Sequence, residues 1–471
     1  MKIYSVLLAA TALSSAAASP AIAHDRQPTS TEQLEELRAQ MEALIARVDQ
    51  LEGELADAEA QAEAANAAAA EASAAALAAN AAAGEANETA IAAKTKAESA
   101  PKIAFKGTPE ISTSGGWKFK PRGRLQYDTG FVSAPSSTAA DDGWDTDVRR
   151  ARLGFSGDMP GGFGFKFEID VANSDLAVTD AIISYEAGDV DLSVGQFNNF
   201  QSLEELTSSL HTSFIERAAF TDAFGFVRRV GVGATYGSGD VLVQAGLFSD
   251  NMDELSNNEW SADGRVVFMP KLGDAQLHLG GSVHYRELGS DATTRYRQRP
   301  LVGFANDRFI NTGNFSAESE FSYGLESAIV SGPLHAVVEG HWMNASRPDM
   351  LGDPTFFGGY AEVGYFLTSG DTRGYKGGKF DRTKPANPVG EGGIGSIQIN
   401  ARYDRLDLND AGIIGGTQDG YFLSLVWKPT DYTMLLANYG KLDYSDAVFP
   451  TASGSTDYSV DVFGMRAQID F

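Results

Sequence analysis

The chain has 471 residues, with 37 Lys and Arg against 63 Asp and Glu and a formal net charge of −26. Acidity on this scale argues against a nucleic-acid-binding protein. The absence of cysteine excludes disulfides and thiolate chemistry.

Residues 1–23 combine Lys2, an apolar stretch around Val6 to Ala12 and a small-residue site ending Ala21-Ile22-Ala23. That is the pattern of a secretory signal peptide, and it predicts a mature chain beginning at His24. No later stretch reads as a membrane helix of about 18 apolar, charge-free residues. A membrane location would therefore require a β-barrel, which satisfies every backbone group between strands.

From Leu34 the apolar positions run Leu34, Leu37, Met41, Leu44, Val48, Leu51 and Leu55, alternating spacings of three and four. This is an a/d heptad seam with mostly Glu, Gln, Arg and Ala between. Ala58 to Ala97 is Ala-dominated, a strong helix former with thin packing. Residues 31–98 are expected to form a helix about 100 Å long. So polar a helix buries little alone, which favours association with copies of itself; a solvated single helix or spacer is the alternative.

Near Pro101 the composition changes to Gly, aromatics and period-2 alternation. Phe163, Phe165, Phe167, Ile169 and Val171 face one way, while Lys166, Glu168 and Asp170 face the other. Leu277 to Tyr285 and Ile397 to Tyr403 alternate in the same manner. At the far end Met465, Ala467, Ile469 and Phe471 oppose Arg466, Gln468 and Asp470. A terminal aromatic after that alternation resembles the C-terminal signature of Gram-negative outer-membrane proteins. Tight turns at Met159-Pro160-Gly161, Gly237-Ser238-Gly239, Leu272-Gly273, Gly332-Pro333 and Pro429-Thr430 alternate with longer polar segments, the rim asymmetry of a transmembrane barrel.

Sixteen antiparallel strands are expected, near 117–130, 146–158, 161–173, 178–187, 189–197, 226–237, 239–249, 260–271, 274–287, 319–331, 334–346, 356–368, 394–408, 417–428, 431–444 and 457–471. The expected fold is an all-β transmembrane barrel over 103–471 behind an N-terminal helical coiled coil. Residues 369–393 fit awkwardly, since parity puts this long segment on the short-turn rim. Sixteen strands predict an aqueous channel rather than a packed core.

Val148-Arg-Arg-Ala-Arg-Leu-Gly-Phe-Ser-Gly157, Val194-Gly-Gln-Phe197, Ser202-Leu-Glu-Glu-Leu-Thr-Ser-Ser209, Glu216-Arg-Ala218 and Ala401-Arg-Tyr-Asp-Arg-Leu-Asp-Leu-Asn-Asp410 stand in order along this region. With the terminal strand, they resemble the phosphate-selective porin O/P family over roughly 117–471. The resemblance implies a homotrimer of 16-stranded pores in the Gram-negative outer membrane, surrounded by its lipid. It also implies a third long loop folded inward, and diffusion of small anions such as phosphate. The helical segment would then lie in the periplasm.

The residues can be read for that chemistry directly. On the first strand Lys118, Lys120, Arg122 and Arg124 alternate with Trp117, Phe119, Leu125 and Tyr127, so four cations share one face over about 20 Å. Arg150 and Arg152 share the lumen face of the next strand. Arg295, Arg297 and Arg299 fall at i, i+2, i+4 on one side of an extended loop. Guanidinium groups facing water attract anions and offer bidentate contacts to phosphate oxygens. By motif position the resemblance carries an anion-binding role to Arg124, Arg149, Arg150 and Arg217, and to the Arg295–Arg299 group. Strand parity, however, puts Arg149 on the face opposite Arg150. The alternative for these arginines is bracing of the wall by lumen acids such as Asp128, Asp145, Asp147, Glu168, Asp170 and Glu186.

One departure from the family stands out. From Asn198 to Ile215 there is no Lys or Arg, and Glu204 and Glu205 are the charges of the expected constriction loop. No ligand spacing for a metal, no nucleotide loop and no nucleophile elbow occurs, so neither a cofactor nor an enzyme activity is expected. Two readings remain, a passive diffusion channel and a structural anchor whose helix tethers the envelope.

Overall fold

The computed structural model describes residues 29–255, 259–289, 292–348 and 351–471. The expected signal peptide lies outside them. The described chain divides into two units, an N-terminal helical unit and one spanning Glu98–Phe471.

The helix α1 runs Ser30–Ser99 without a break. Its start is set by Thr29, whose backbone N–H reaches the Glu32 carboxylate at 3.2 Å, the reciprocal half of a capping box. Every residue of α1 is exposed, the seam from Leu34 to Leu55 included.

The second unit is a closed barrel. Its strands are β1 Lys118–Ser133, β2 Gly143–Met159, β3 Phe163–Asp170, β4 Ala177–Ala187, β5 Val190–Asn198, β6 Arg228–Ser238, β7 Val241–Phe248 and β8 Trp260–Phe268. They continue as β9 Ala275–Glu287, β10 Ser319–Ser331, β11 Leu334–Ser346, β12 Thr355–Phe366, β13 Ser396–Asp410, β14 Ile413–Thr430, β15 Thr433–Ser445 and β16 Tyr458–Asp470. Each pairs antiparallel with its neighbour in sequence, and β16 returns to β1 from Asp461↔Ser133 to Asp470↔Arg124. The sixteen expected strands are all present, with ends displaced by a few residues. A short ribbon, Lys102–Lys106 with Thr108–Ser112, adds to β1 at the short-turn rim through Ile111↔Phe119.

Alternation sets which side chain meets which solvent. On β1 Leu125, Tyr127 and Phe131 are exposed on the outer wall, while Gln126 and Asp128 between them are fully buried toward the lumen. The outer faces of β1 to β3 carry a run of phenylalanines, with Phe119–Phe155 and Phe155–Phe167 ring centroids 5.8 and 5.6 Å apart.

Two long segments enter the lumen from opposite rims, and part of the loop between β9 and β10 packs in beside the first, with Leu301, Val302 and Phe304 in the same apolar core. Residues 199–227, between β5 and β6, fold inward and carry two short helices, α2 Leu203–Leu206 and α3 Ala219–Ala223. Residues 367–395, the awkward segment of the sequence, fold in from the short-turn rim. Arg373 there donates to the His211 carbonyl at 2.8 Å and also to Ser213 Oγ. Arg265 donates to the Gly378 carbonyl at 2.8 Å. Phe214, Ile215 and Phe220 of the first segment pack with Met343, Phe356 and Leu406 of the wall in one apolar core. The expectation of an interior without a packed core is therefore corrected: part of the lumen is filled by apolar packing, and open space lies along β1 to β6.

Candidate functional site: a cationic pathway along one wall

Lys118, Lys120, Arg122 and Arg124 project inward from alternate positions of β1, as the alternation requires. Three cavities meet along this column. The largest, about 670 Å³, has Arg122 and Arg124 in its lining. A second of about 560 Å³ touches Lys118, Lys120 and Lys166, and a third of about 250 Å³ touches Lys120, Arg122 and Arg124. Shared lining residues join them: Lys166 belongs to the first and second, Arg122 and Arg124 to the first and third.

Ten Lys and Arg side chains line the largest cavity against five carboxylates. Several of the cations are braced. Arg152 binds Glu168 at 3.2 Å and Asp170 at 2.8 Å. Arg124 contacts Glu168 at 3.4 Å and donates to Ser209 Oγ at 3.0 Å. Lys118 pairs with Asp158 at 2.7 Å, and Lys166 and Arg228 share Asp180. Arg150 differs: its guanidinium donates to Gln126 Oε1 at 3.0 Å and makes no ion pair among the described residues. Arg122 likewise forms no ion pair among them. Bracing and unpaired positive charge thus coexist on one wall.

Arg149 corrects the parity reading. Gln126 pairs with Arg150 but the next residue, Tyr127, pairs with Val148, so Arg149 is an extra residue on β2. A β-bulge of this kind resets which side chains face inward. Arg149 turns to the lumen and binds Glu216 of the inward loop through two nitrogens, at 2.6 and 3.2 Å. Burial alone would raise the Glu216 carboxyl, but Arg149, Arg150 and Arg466 hold it well below the usual carboxylate range.

Glu204 and Glu205 stand on α2, where Ser202 caps the helix by accepting from the Glu205 N–H at 3.1 Å. Glu204 does not face the pathway. It is clamped to the far wall by Arg402 at 3.1 Å, and Arg402 also holds Glu362 at 2.8 Å. Glu205 pairs with Arg217 at 3.4 Å. Arg217 lines the cavity but spends other donors on the carbonyls of Glu204, Glu205 and Thr207. Burial pushes both loop carboxyls above the ordinary range, against the opposing pull of Arg402 and Arg217 respectively.

The Arg295–Arg299 group is divided by the structure. Arg295 and Arg297 lie on the exposed side of the loop between β9 and β10, with Tyr296 and Gln298 buried between them. Arg299 alone of the three lines the largest cavity, 3.6 Å from Asp222. Sequence reading missed Lys166 and Arg228, and also Lys379, Arg382 and Lys384 of the 367–395 segment, all of which line the joined cavities. The available cue was the length of that segment on a rim of short turns, together with its cations.

The chain matches the family described as Phosphate-selective porin O and P over residues 119–471. An uncharacterised protein of Caulobacter vibrioides is 47% identical over 384 residues, covering 79% of this chain and 77% of that protein. OmpT of Vibrio cholerae aligns with a TM-score of 0.49 at 12% identity, over 76% of this chain and 99% of its own. The anion-selective porin from Comamonas acidovorans aligns with a TM-score of 0.48 at 13% identity, over 75% and 100%. The family match spans the whole barrel, from the first cation-bearing strand to the strand that closes on it, and the chain belongs to the phosphate-selective porin O and P family of outer-membrane channels.

Proposed function

We propose that this protein is a passive diffusion channel for small anions: phosphate, which its family description names, or polyphosphate. The observation that carries the reading is the charge balance of the largest cavity, ten cations to five carboxylates, with Arg122 and Arg150 outside any ion pair among the described residues. Fixed charge lining a low-dielectric passage raises the local concentration of the opposite ion, and salt screens it over about 10 Å at 0.1 M. The chain's net charge of −26 does not oppose this, because the field in the pathway is set by its own lining. Channels assemble as homotrimers in this reading, and α1 extends from them into the periplasm once the signal peptide is removed.

The test is the reversal potential across a planar bilayer in a KCl gradient. Anion preference that strengthens as salt is lowered supports the proposal; cation preference at low salt makes a general porin the better reading. The fully exposed, 70-residue α1 favours a second role, an anchor whose helix tethers the envelope. Deleting residues 31–98 separates the two, since a channel keeps its conductance while a tether loses its cellular effect.

A further inference from the structure

A groove of about 590 Å³ runs over the outer wall of the barrel, across β12 to β15. Two cross-strand rows build it. The lower passes from Val363 through Ala401 and Leu423 to Tyr439, and the upper from Ala361 through Tyr403 and Tyr421 to Lys441. Ala361 and Ala401 stand on adjacent strands and, with only a β-carbon each, leave the floor low. Leu423 is 62% exposed and Tyr421 52%, so these larger side chains rise as the sides. The Tyr403 and Tyr421 rings lie 5.4 Å apart.

The groove has a polar end. β15 leaves the tight turn at Asp431-Tyr432 and runs toward the long-loop rim, so Lys441 marks the end nearer the outer leaflet. There the Tyr403 and Tyr439 hydroxyls donate to Asp419 and Asp461, and Arg405 holds Asp419 at 2.9 Å. Tyrosines with rings in an apolar wall and hydroxyls in a charged band mark the depth at which hydrocarbon meets headgroups. Lys441 sits at that depth, is exposed, and makes no ion pair among the described residues. We infer that this groove holds an acyl chain of an outer-leaflet glycolipid, with a phosphate of its headgroup on the Lys441 ammonium. A charge-assisted contact above a seated chain separates a bound lipid from the bulk lipid that covers the rest of the wall. Asp443 and Asp461 flank Lys441 and would repel a bare phosphate, so a divalent counter-ion belongs between these carboxylates and the headgroup. The inference rests on the barrel's place in the outer membrane and not on which ion the pore passes.

The test adds lipid A, a phosphorylated and acylated disaccharide, to the full-length protein freed of lipid in detergent with magnesium present. Bound lipid is counted by native mass spectrometry. A stoichiometric adduct is expected, weakened roughly tenfold by Lys441→Gln, and weakened also by EDTA and by Ala401→Phe, which fills the floor. Ala245→Phe, on the outward face of β7, should leave it unchanged. Heat modifiability checks that each variant is folded. Equal weakening by Ala401→Phe and Ala245→Phe, or by neither, overturns the site. Adducts of uncharged diacylglycerol as tight as those of lipid A, or binding unmoved by Lys441→Gln and EDTA, overturn the headgroup contact. Protein that binds no lipid A but changes its oligomeric state in Ala401→Phe puts a second copy on this surface, which also overturns the inference.

Discussion

At the scale of single residues, charge in this lumen has two uses that substitution can separate. Arg122 and Arg150 make no direct ion pair among the described residues, so changing both to Gln should move the reversal potential toward cations, with a larger shift at low salt. Arg149 and Glu216 cancel each other at 2.6 Å. Changing that pair together to Gln leaves the net lining charge unaltered, and the expected reversal potential is that of the parent. Arg402 answers a different question, because it is buried between Glu204 and Glu362 and its guanidinium stacks 4.4 Å from the Phe214 ring. Arg402→Gln removes the cation that both carboxylates share, leaving Glu204 to the Ala218 N–H and the Tyr360 hydroxyl and Glu362 to His335; breaking such a buried network costs about 3–5 kcal/mol. The inward loop should then loosen, visible as noisier single-channel current and a lower unfolding temperature. None of these partners was legible in the sequence. Glu204 and Arg402 are 198 positions apart, and no local pattern announces a clamp across a barrel. Arg149 was misassigned for a related reason, since one extra residue in a strand shifts its parity without changing its composition.

At the scale of elements, the strands were readable because lipid on one side and lumen on the other impose a period of two over eight or more residues. The 367–395 segment was not, because a segment that folds into the lumen has no fixed period to display. Its working position gives a prediction. Replacing residues 370–392 by a short turn removes Arg373 from the loop at His211 and Ser213, and Lys379 from the cavity lining. Single-channel conductance should rise and anion preference should fall, both measured in bilayers. In α1 the alternation of three and four continues past Leu55 onto Ala58, Ala62, Ala65 and Ala69, and so on through Ala93 and Ala97. Every polar residue from Asp57 to Lys96 falls off that line, so the Leu seam passes into an Ala seam in one register. The isolated segment should show helicity that rises with concentration, and Leu37→Asn with Leu44→Asn should abolish it. A segment that stays unfolded at high concentration would remove the coiled coil.

At the scale of the whole channel, pH should act through the inward loop. Burial raises the Glu205 carboxyl, so it takes up its proton at a higher pH than an exposed glutamate does. Glu216 is held low by Arg149 and stays ionised through the same range. Falling pH therefore removes negative charge from the cavity first at Glu205. Anion preference should increase as pH falls through the raised Glu205 titration, and Glu205→Gln should flatten that dependence in reversal-potential measurements. The linkage has the matching sign: a carboxyl whose folded value is raised favours the folded loop below its unfolded value and loses that contribution as pH rises through the folded one. Loss of the pH dependence in Glu216→Gln, with Glu205→Gln unchanged, would reverse these assignments.

The pairing of β1 with β16 has a consequence in time. Gly123 and Phe471 exchange two backbone hydrogen bonds, at 2.9 and 3.0 Å, and a β-carbon at Gly123 would lie 2.2 Å from the Phe471 ring. Every strand from β2 to β15 finds both of its partners next to it in the chain and can pair in hairpins as soon as they are made. β1 can make one such hairpin, but its other edge waits for the whole intervening barrel to be synthesised. During that interval it is an open strand edge bearing Leu125, Tyr127 and Phe131, the kind of surface that recruits wrong partners. The slowest folding step should therefore be seam closure, a long-range pairing that comes late.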